Sequence, residues 1–249
     1  RVALNALAAG VVLCVPRETA AAQKAGWHSM IEANASTLFG ATSQTLMSLA
    51  AGLSHAGEGF TSDATFAFRY GESEDGQRVK FVNARGWAVN VSVDGTPNGR
   101  VSPFVLASAE ASLEKRIASR RSGGVGAKWV FAKSNTGSAS VSAAILGERT
   151  AALSDTAVAV TRVARWSWRI KMVQKVDDRL SLSHVTFYGP RFNVPSQYTI
   201  TSTSVGSFSI NKAVALTLTF NDNFDSQARA RGAPTNNDGS LLFGVRGTF

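Results

Sequence analysis

The sequence predicts an all-β chain, a transmembrane antiparallel β-barrel of about twelve strands in up-and-down order, with ten or fourteen as the neighbouring counts. Three observations predict it. The first residues read as an export signal. The rest alternates apolar and polar residues over segments longer than the strands of soluble proteins. The last strand ends in an aromatic residue, Phe249.

The chain has 249 residues, of which 44% are hydrophobic and only 17% charged. A soluble domain carries about 25% charged residues, so this chain hides much of its surface from water. Beyond the N-terminus no apolar run reaches the length of a second helical span. Apolar surface without apolar runs is what alternation on strands produces. The net charge of +9 fits anionic lipid or an acidic ligand. Nucleic acid is not expected as a partner, because neither a Lys-rich helix nor an aromatic RNA-binding motif is present.

Residues 1–22 are expected to be a signal peptide with a truncated basic start, and 23–249 the barrel. Arg1 precedes the apolar stretch Val2–Val15, and Ala20 and Ala22 satisfy the small-x-small cleavage pattern. Cys14 is the single cysteine, and Leu13 before it does not suit a lipoprotein signal. The mature chain would then have no disulfide, and a closed barrel supplies stability instead.

Beyond residue 22, period-2 alternation dominates the chain. The expected strands are His28–Phe39, Ser43–Ser54, Phe60–Tyr70, Gln77–Val93, Val101–Leu113, Ser122–Ala132, Ser138–Arg149, Ala157–Gln174, Arg179–Tyr188, Tyr198–Ile210, Ala213–Asn221 and Asp238–Phe249. Strands of this length suit a tilted crossing of a bilayer. Val176-Asp177-Asp178 and Asn211-Lys212 read as tight turns, Gly189–Gln197 and Asp222–Asn237 as long polar loops. With both termini periplasmic, the late long loops face outward and the tight turns inward.

On the eighth strand Trp166, Trp168, Ile170 and Met172 share one face, and Arg165, Ser167, Arg169 and Lys171 the other. A soluble sandwich alternates too; strand length and the export signal favour the membrane. Counting back from Phe249, the alternate positions are Gly247, Val245, Phe243 and Leu241. Leu241, Phe243, Val245 and Phe249 are thus candidates for the signal read by the barrel-assembly machinery.

From Gly26 to Phe249 the chain resembles the salt-induced outer-membrane proteins, a bacterial family classed as domain of unknown function 481. The residues that carry the resemblance are Arg69-Tyr70-Gly71-Glu72, Leu182–Pro190, and Phe224-Asp225-Ser226 with Ala233-Pro234 and Asp238. One Pro of the family's late loop is missing here. The resemblance implies an outer-membrane barrel and says little about chemistry. The sequence as a whole leads us to expect a monomeric, porin-like barrel of the Gram-negative outer membrane, in contact with membrane lipid and lipopolysaccharide.

Unlike charges fall on the faces expected to line the lumen: Glu32, Arg69, Glu110, Lys128, Glu148, Arg165, Arg169, Lys171 and Arg246. Facing lipid, an Arg or Lys costs about 2–4 kcal/mol at the midplane. One reading is an ion-selective constriction favouring anions; the other is a salt-bridge network that fills a narrow barrel. The expected role is therefore structural or stress-related in the envelope, with a narrow solute or ion pore as its most specific form and an assembly or adhesion surface as another.

An enzyme is not expected, and neither is a cofactor. A lipid-acting barrel needs a Ser and a His on one outer surface, oriented by a third polar group. Ser183 adjoins His184, but strand neighbours point to opposite faces, and the other histidines, His28 and His55, are scattered. No metal-ligand spacing occurs either. Asp222, Asp225 and Asp238 near the last long loop read as turn formers before calcium ligands. Arg229 and Arg231, with Arg116, Arg120 and Arg121 in another expected loop, are candidates for lipopolysaccharide phosphates. Trp27, Trp87, Trp129, Trp166 and Trp168 are candidates for interfacial girdles.

Overall fold

In a computed structural model, which describes residues 26–38, 43–74, 79–97, 99–153 and 159–249, the chain forms one closed antiparallel barrel. The expected signal peptide, Cys14, the first connection and parts of the third, fourth and seventh lie outside the described residues. The twelve strands are β1 (Gly26–Leu38), β2 (Ser43–Ala56), β3 (Phe60–Glu74), β4 (Lys80–Gly95), β5 (Val101–Ser112), β6 (Ile117–Lys133), β7 (Gly137–Ala152), β8 (Val160–Lys175), β9 (Leu180–Pro190), β10 (Tyr198–Ser209), β11 (Val214–Asp225) and β12 (Asn237–Thr248). Order around the ring is order along the chain, and β1 pairs with β12 to close it. Closure satisfies the backbone N–H and C=O groups that an open edge would leave bare, which hydrocarbon demands.

The side chains invert a soluble core. On β8, Trp168 and Ile170 are 46% and 50% exposed, while Arg165 and Lys171 are 4% and 7% exposed on the opposite face. Leu216, Leu218 and Phe220 on β11, and Leu241, Phe243 and Val245 on β12, join the same outer belt. An apolar belt around the whole molecule far exceeds what water tolerates and suits a hydrocarbon surround. The buried side is the lumen, and it is largely polar: Ser102, Thr203, Thr219 and Asn221 are fully enclosed, beside one apolar patch of Leu46, Ala50, Ala67, Ala84 and Leu242.

Aromatic rings mark both ends. At the end where the tight turns lie, Trp27 meets His55 and His55 stacks on Phe60, while Trp129 meets Phe131. Toward the opposite, loop end, Trp166 packs on Phe192 at 4.6 Å, and Tyr188, Tyr198 and Phe224 form a row. Two such bands flank the apolar belt, as interfacial girdles do.

Three strand ends differ by four or five residues from the sequence expectation. β6 begins at Ile117, so Arg120 and Arg121 stand on a strand and not in a loop. β3 runs on to Glu74 and β11 to Asp225. A charge-rich stretch reads as a loop when the alternative is a soluble core, but a lumen face accepts charge. Register irregularities near Gly71/Glu72, Glu110/Ser112 and Ile117/Ser119 lie at the loop end, where an extra residue re-aims side chains.

Candidate functional site in the barrel lumen

A chain of ion pairs crosses the lumen at the loop end. Arg120 on β6 donates to Glu110 Oε1 at 2.9 Å and to Asp225 Oδ2 at 3.0 Å, and its Nε lies 3.9 Å from Glu148 Oε1. Arg165 on β8 grips both oxygens of Glu148, at 3.0 and 3.1 Å, and donates to the Gly189 carbonyl at 3.0 Å. Such bidentate pairs are the stronger kind. Because β6 and β11 stand five places apart in the ring of twelve, the Arg120–Asp225 pair spans nearly the full width of the barrel.

The β11–β12 connection folds over this network. It makes one short 3-10 turn, Arg229–Arg231, ending at Gly232 with φ of 90°, a left-handed conformation that suits glycine. Arg231 donates to Asp225 Oδ2 at 2.6 Å and to the Lys115 carbonyl at 3.2 Å. The loop is thereby tied both to its own strand and to the β5–β6 turn across the mouth. Ala228 and Ala233 are buried beneath it. Among the described residues the lumen holds a chamber of ≈ 130 Å³ beside Glu110, Arg120 and Asp225, and one of ≈ 260 Å³ bordered by Asp63, Glu148, Arg169, Lys171 and Phe187.

Arg120 and Arg231 therefore do not reach outward to lipid phosphates as the sequence reading has them; Asp225 holds both. The same pairing engages Asp225, which the sequence reading weighs as a calcium ligand.

The other expected lumen charges also face inward. Lys128 pairs with Asp94 at 2.9 Å, Arg69 lies 3.7 Å from Glu114, and Arg246 reaches Glu32 Oε2 at 2.5 Å. Lys171 is buried beside the larger chamber. Arg169 donates to Ser142 Oγ at 3.0 Å and lies 5.6 Å from the Phe104 ring and 5.9 Å from the Phe187 ring. No carboxylate among the described residues is paired with it, and Arg165, Arg169 and Lys171 against Asp63 and Glu148 leave the lining of that chamber one net positive charge. Leu241, Phe243, Val245 and Phe249, the expected assembly signal, all point outward.

On the outer wall the structure assembles a row that local sequence spacing does not reveal. His184 Nδ1 lies 2.8 Å from Ser204 Oγ, its Nε2 2.9 Å from Thr186 Oγ1, and Thr186 Oγ1 3.1 Å from Ser202 Oγ. The Ser183 neighbour is not involved. The partners come from the β9–β10 register, which places His184 opposite Ser204.

An antiparallel barrel with an apolar outside and an ion-paired inside is the fold of the membrane β-barrel proteins. The chain belongs to the family described as protein of unknown function, DUF481, whose model matches residues 31–249. Among solved structures it is similar to an outer membrane channel from Pseudomonas putida F1, at 9% identity and a TM-score of 0.52, over 94% of this chain and 98% of that one. It is also similar to the translocator domain of the autotransporter NalP from Neisseria meningitidis, at 10% identity and a TM-score of 0.50, over 91% and 89%. At such identities the likeness is one of fold. No curated protein matches the chain.

Proposed function

We propose that this chain is a barrel of the bacterial outer membrane whose lumen is held shut at its loop end, a narrow gated route for small anions and not an open porin. The observation that carries the reading is the Arg120–Asp225 pair across the lumen, with Arg231 drawing the β11–β12 loop onto the same carboxylate. The outer-membrane setting is supported by the belt between two aromatic bands and by the outer-membrane barrels of similar fold. The long loops then face outward. The anion preference is supported by Arg169, which is ion-paired to no carboxylate among the described residues and leaves the larger chamber with more cations than carboxylates, since basic linings favour anions. The resemblance to salt-induced proteins fits an envelope-stress role for a barrel that stays closed at rest.

Planar-bilayer recording tests this. The wild-type protein should be silent or nearly so, and Arg120→Ala should give discrete, anion-preferring steps. A large, steady wild-type conductance would end the proposal.

The row around His184 bears on the second reading, an enzyme acting on lipid. A hydroxyl stands on each ring nitrogen, the arrangement of nucleophile, base and orienting group. Acyl transfer also needs donors aimed at a developing oxyanion. Here β9 and β10 pair along their lengths with each other and with β8 and β11, so their backbone N–H groups are spent on the ladder. The row is read as polar groups satisfying one another where they face lipid.

A further inference from the structure

The outer wall of β6, β7 and β8 carries a charge arrangement that the lumen network does not explain. Arg121 stands opposite Arg149 in the β6–β7 register, and Arg149 opposite Arg162 in the β7–β8 register. All three are exposed. Like charges directly opposite one another, with Cβ atoms about 5 Å apart, destabilise a sheet. No carboxylate among the described residues is paired with any of them; Glu148, next to Arg149 in sequence, points inward and is held by Arg165.

The row beneath the arginines carries nothing larger than a methyl group. Gly123 stands opposite Gly147, and Gly147 opposite Ala164, with Ala107 beside Gly123 on β5. Below that comes an apolar row, Val125, Ile145 and Trp166. Together they form a shallow groove topped by Arg121, Arg149 and Arg162.

The glycines are not there for internal packing. A Cβ at Gly123 would meet nothing nearer than 3.6 Å, and one at Gly147 nothing nearer than 4.0 Å. The inward-facing Gly126 differs, since its Cβ would come within 2.6 Å of Phe104 and 2.7 Å of Ala144. Glycine inside a strand weakens it and often marks a close approach by something else. At Gly123 and Gly147 the open space lies on the outer face of the barrel.

We propose that this groove is a binding site for the lipid A part of lipopolysaccharide, with its phosphates on Arg121, Arg149 and Arg162 and an acyl chain over Gly123, Gly147 and Ala164. Three adjacent guanidinium groups answer the charge of a phosphorylated disaccharide by bidentate pairing. The arginine row lies four residues, about 13 Å along the strand, on the loop side of Trp166, whose contact with Phe192 marks the aromatic band. That is headgroup level at the end of the barrel read as external, where the outer leaflet's lipid is lipopolysaccharide. The assignment rests on the outward orientation proposed above, though not on whether the lumen conducts.

The test uses the folded protein in detergent, with bisphosphorylated lipid A, monophosphorylated lipid A and phosphatidylglycerol as probes, read by native mass spectrometry. Bisphosphorylated lipid A should bind one to one. The affinity should fall at least tenfold in Arg121→Gln/Arg149→Gln/Arg162→Gln, and comparably in Gly147→Leu, which fills the groove and leaves the charge. Monophosphorylated lipid A should bind more weakly. If the triple variant does not fold, as judged by its gel mobility before and after heating, Arg149→Gln in the centre of the row is read the same way. Equal binding by wild type and the arginine variants, or phosphatidylglycerol binding as tightly as lipid A, overturns the site. Protease access to residues 226–236 on intact cells tests orientation separately. Lipid A binding without such access would leave a phosphate-binding groove in the wrong leaflet, and so overturn the orientation and the assignment to lipopolysaccharide together.

Discussion

Arg120 on β6 and Asp225 at the end of β11 are 105 residues apart in the chain and 3.0 Å apart in space. Their pair is the cross-lumen brace of the loop end, and Arg120 serves Glu110 and Glu148 as well. Replacing Arg120 with Ala should therefore do two things. Discrete conductance should appear in planar bilayers, and thermal unfolding in detergent should shift downward. Breaking a buried pair costs about 3–5 kcal/mol when the remaining charge is left unpaired; Asp225 keeps Arg231, so the cost here is smaller. A variant as silent and as stable as wild type would show that the brace closes nothing.

Glycine parity separates inside from outside. Gly126→Ala should lower stability by about 1–3 kcal/mol, the range for overpacking, because the added methyl meets Phe104 and Ala144 inside the barrel. Gly123→Ala, three residues away on the outer face, should be nearly neutral. Urea unfolding of both variants in lipid vesicles measures the difference. Equal effects would mean the two faces have been assigned wrongly.

Alternation made the barrel legible from sequence, because in a closed sheet the side-chain period alone decides which residues meet lipid. Trp166 and Trp168 fall on one face on that ground, and Arg165 and Lys171 on the other. Residue types decide less well where a strand ends. Arg120 and Arg121 read as loop because a charge run resembles a solvated turn, yet a polar lumen lets a strand continue through it. Contacts that depend on register were out of reach. His184 finds Ser204 only because β9 and β10 pair as they do, and Asp225 meets Arg120 only because the ring closes.

The His184 row predicts an absence of chemistry. Purified protein should release no more fatty acid from phospholipid vesicles than His184→Ala does. The substitution leaves Thr186 and Ser204 each short of a partner, so a modest loss of stability is expected, of the order of 1–3 kcal/mol for an unsatisfied group in an apolar setting. Release that disappears with the imidazole would make this barrel an enzyme.

The β8–β9 turn supplies a pH test outside the membrane. Asp177 Oδ1 accepts the backbone N–H groups of Leu180 and Arg179, each at 2.7 Å. These bonds hold its carboxyl below the usual carboxylate range. A depressed folded value means that the turn's contribution is present above the unfolded value of about 3.9 and lost as pH falls through the folded one. The unfolding midpoint of Asp177→Ala should lie below wild type at neutral pH and approach it in acid. A gap that persists in acid would place the effect elsewhere.

The closing seam is the shortest pairing in the ring, with Met30–Ala35 on β1 against Phe243–Thr248 on β12. Its one cross-seam ion pair among the described residues joins Glu32 to Arg246, whose Nε and Nη2 both reach Oε2, at 2.6 and 2.5 Å. Glu32 is 2% exposed; without Arg246 it keeps only Asn34 at 3.1 Å and Thr217 at 3.4 Å. Arg246→Ala should therefore destabilise by up to about 3–5 kcal/mol, read as a lower temperature for the shift from folded to unfolded gel mobility. Glu32→Gln/Arg246→Ala should recover part of that loss, because no unpaired charge then remains at the seam. If the double variant is no better than the single one, the loss comes from packing of the Arg246 stem and not from the stranded carboxylate.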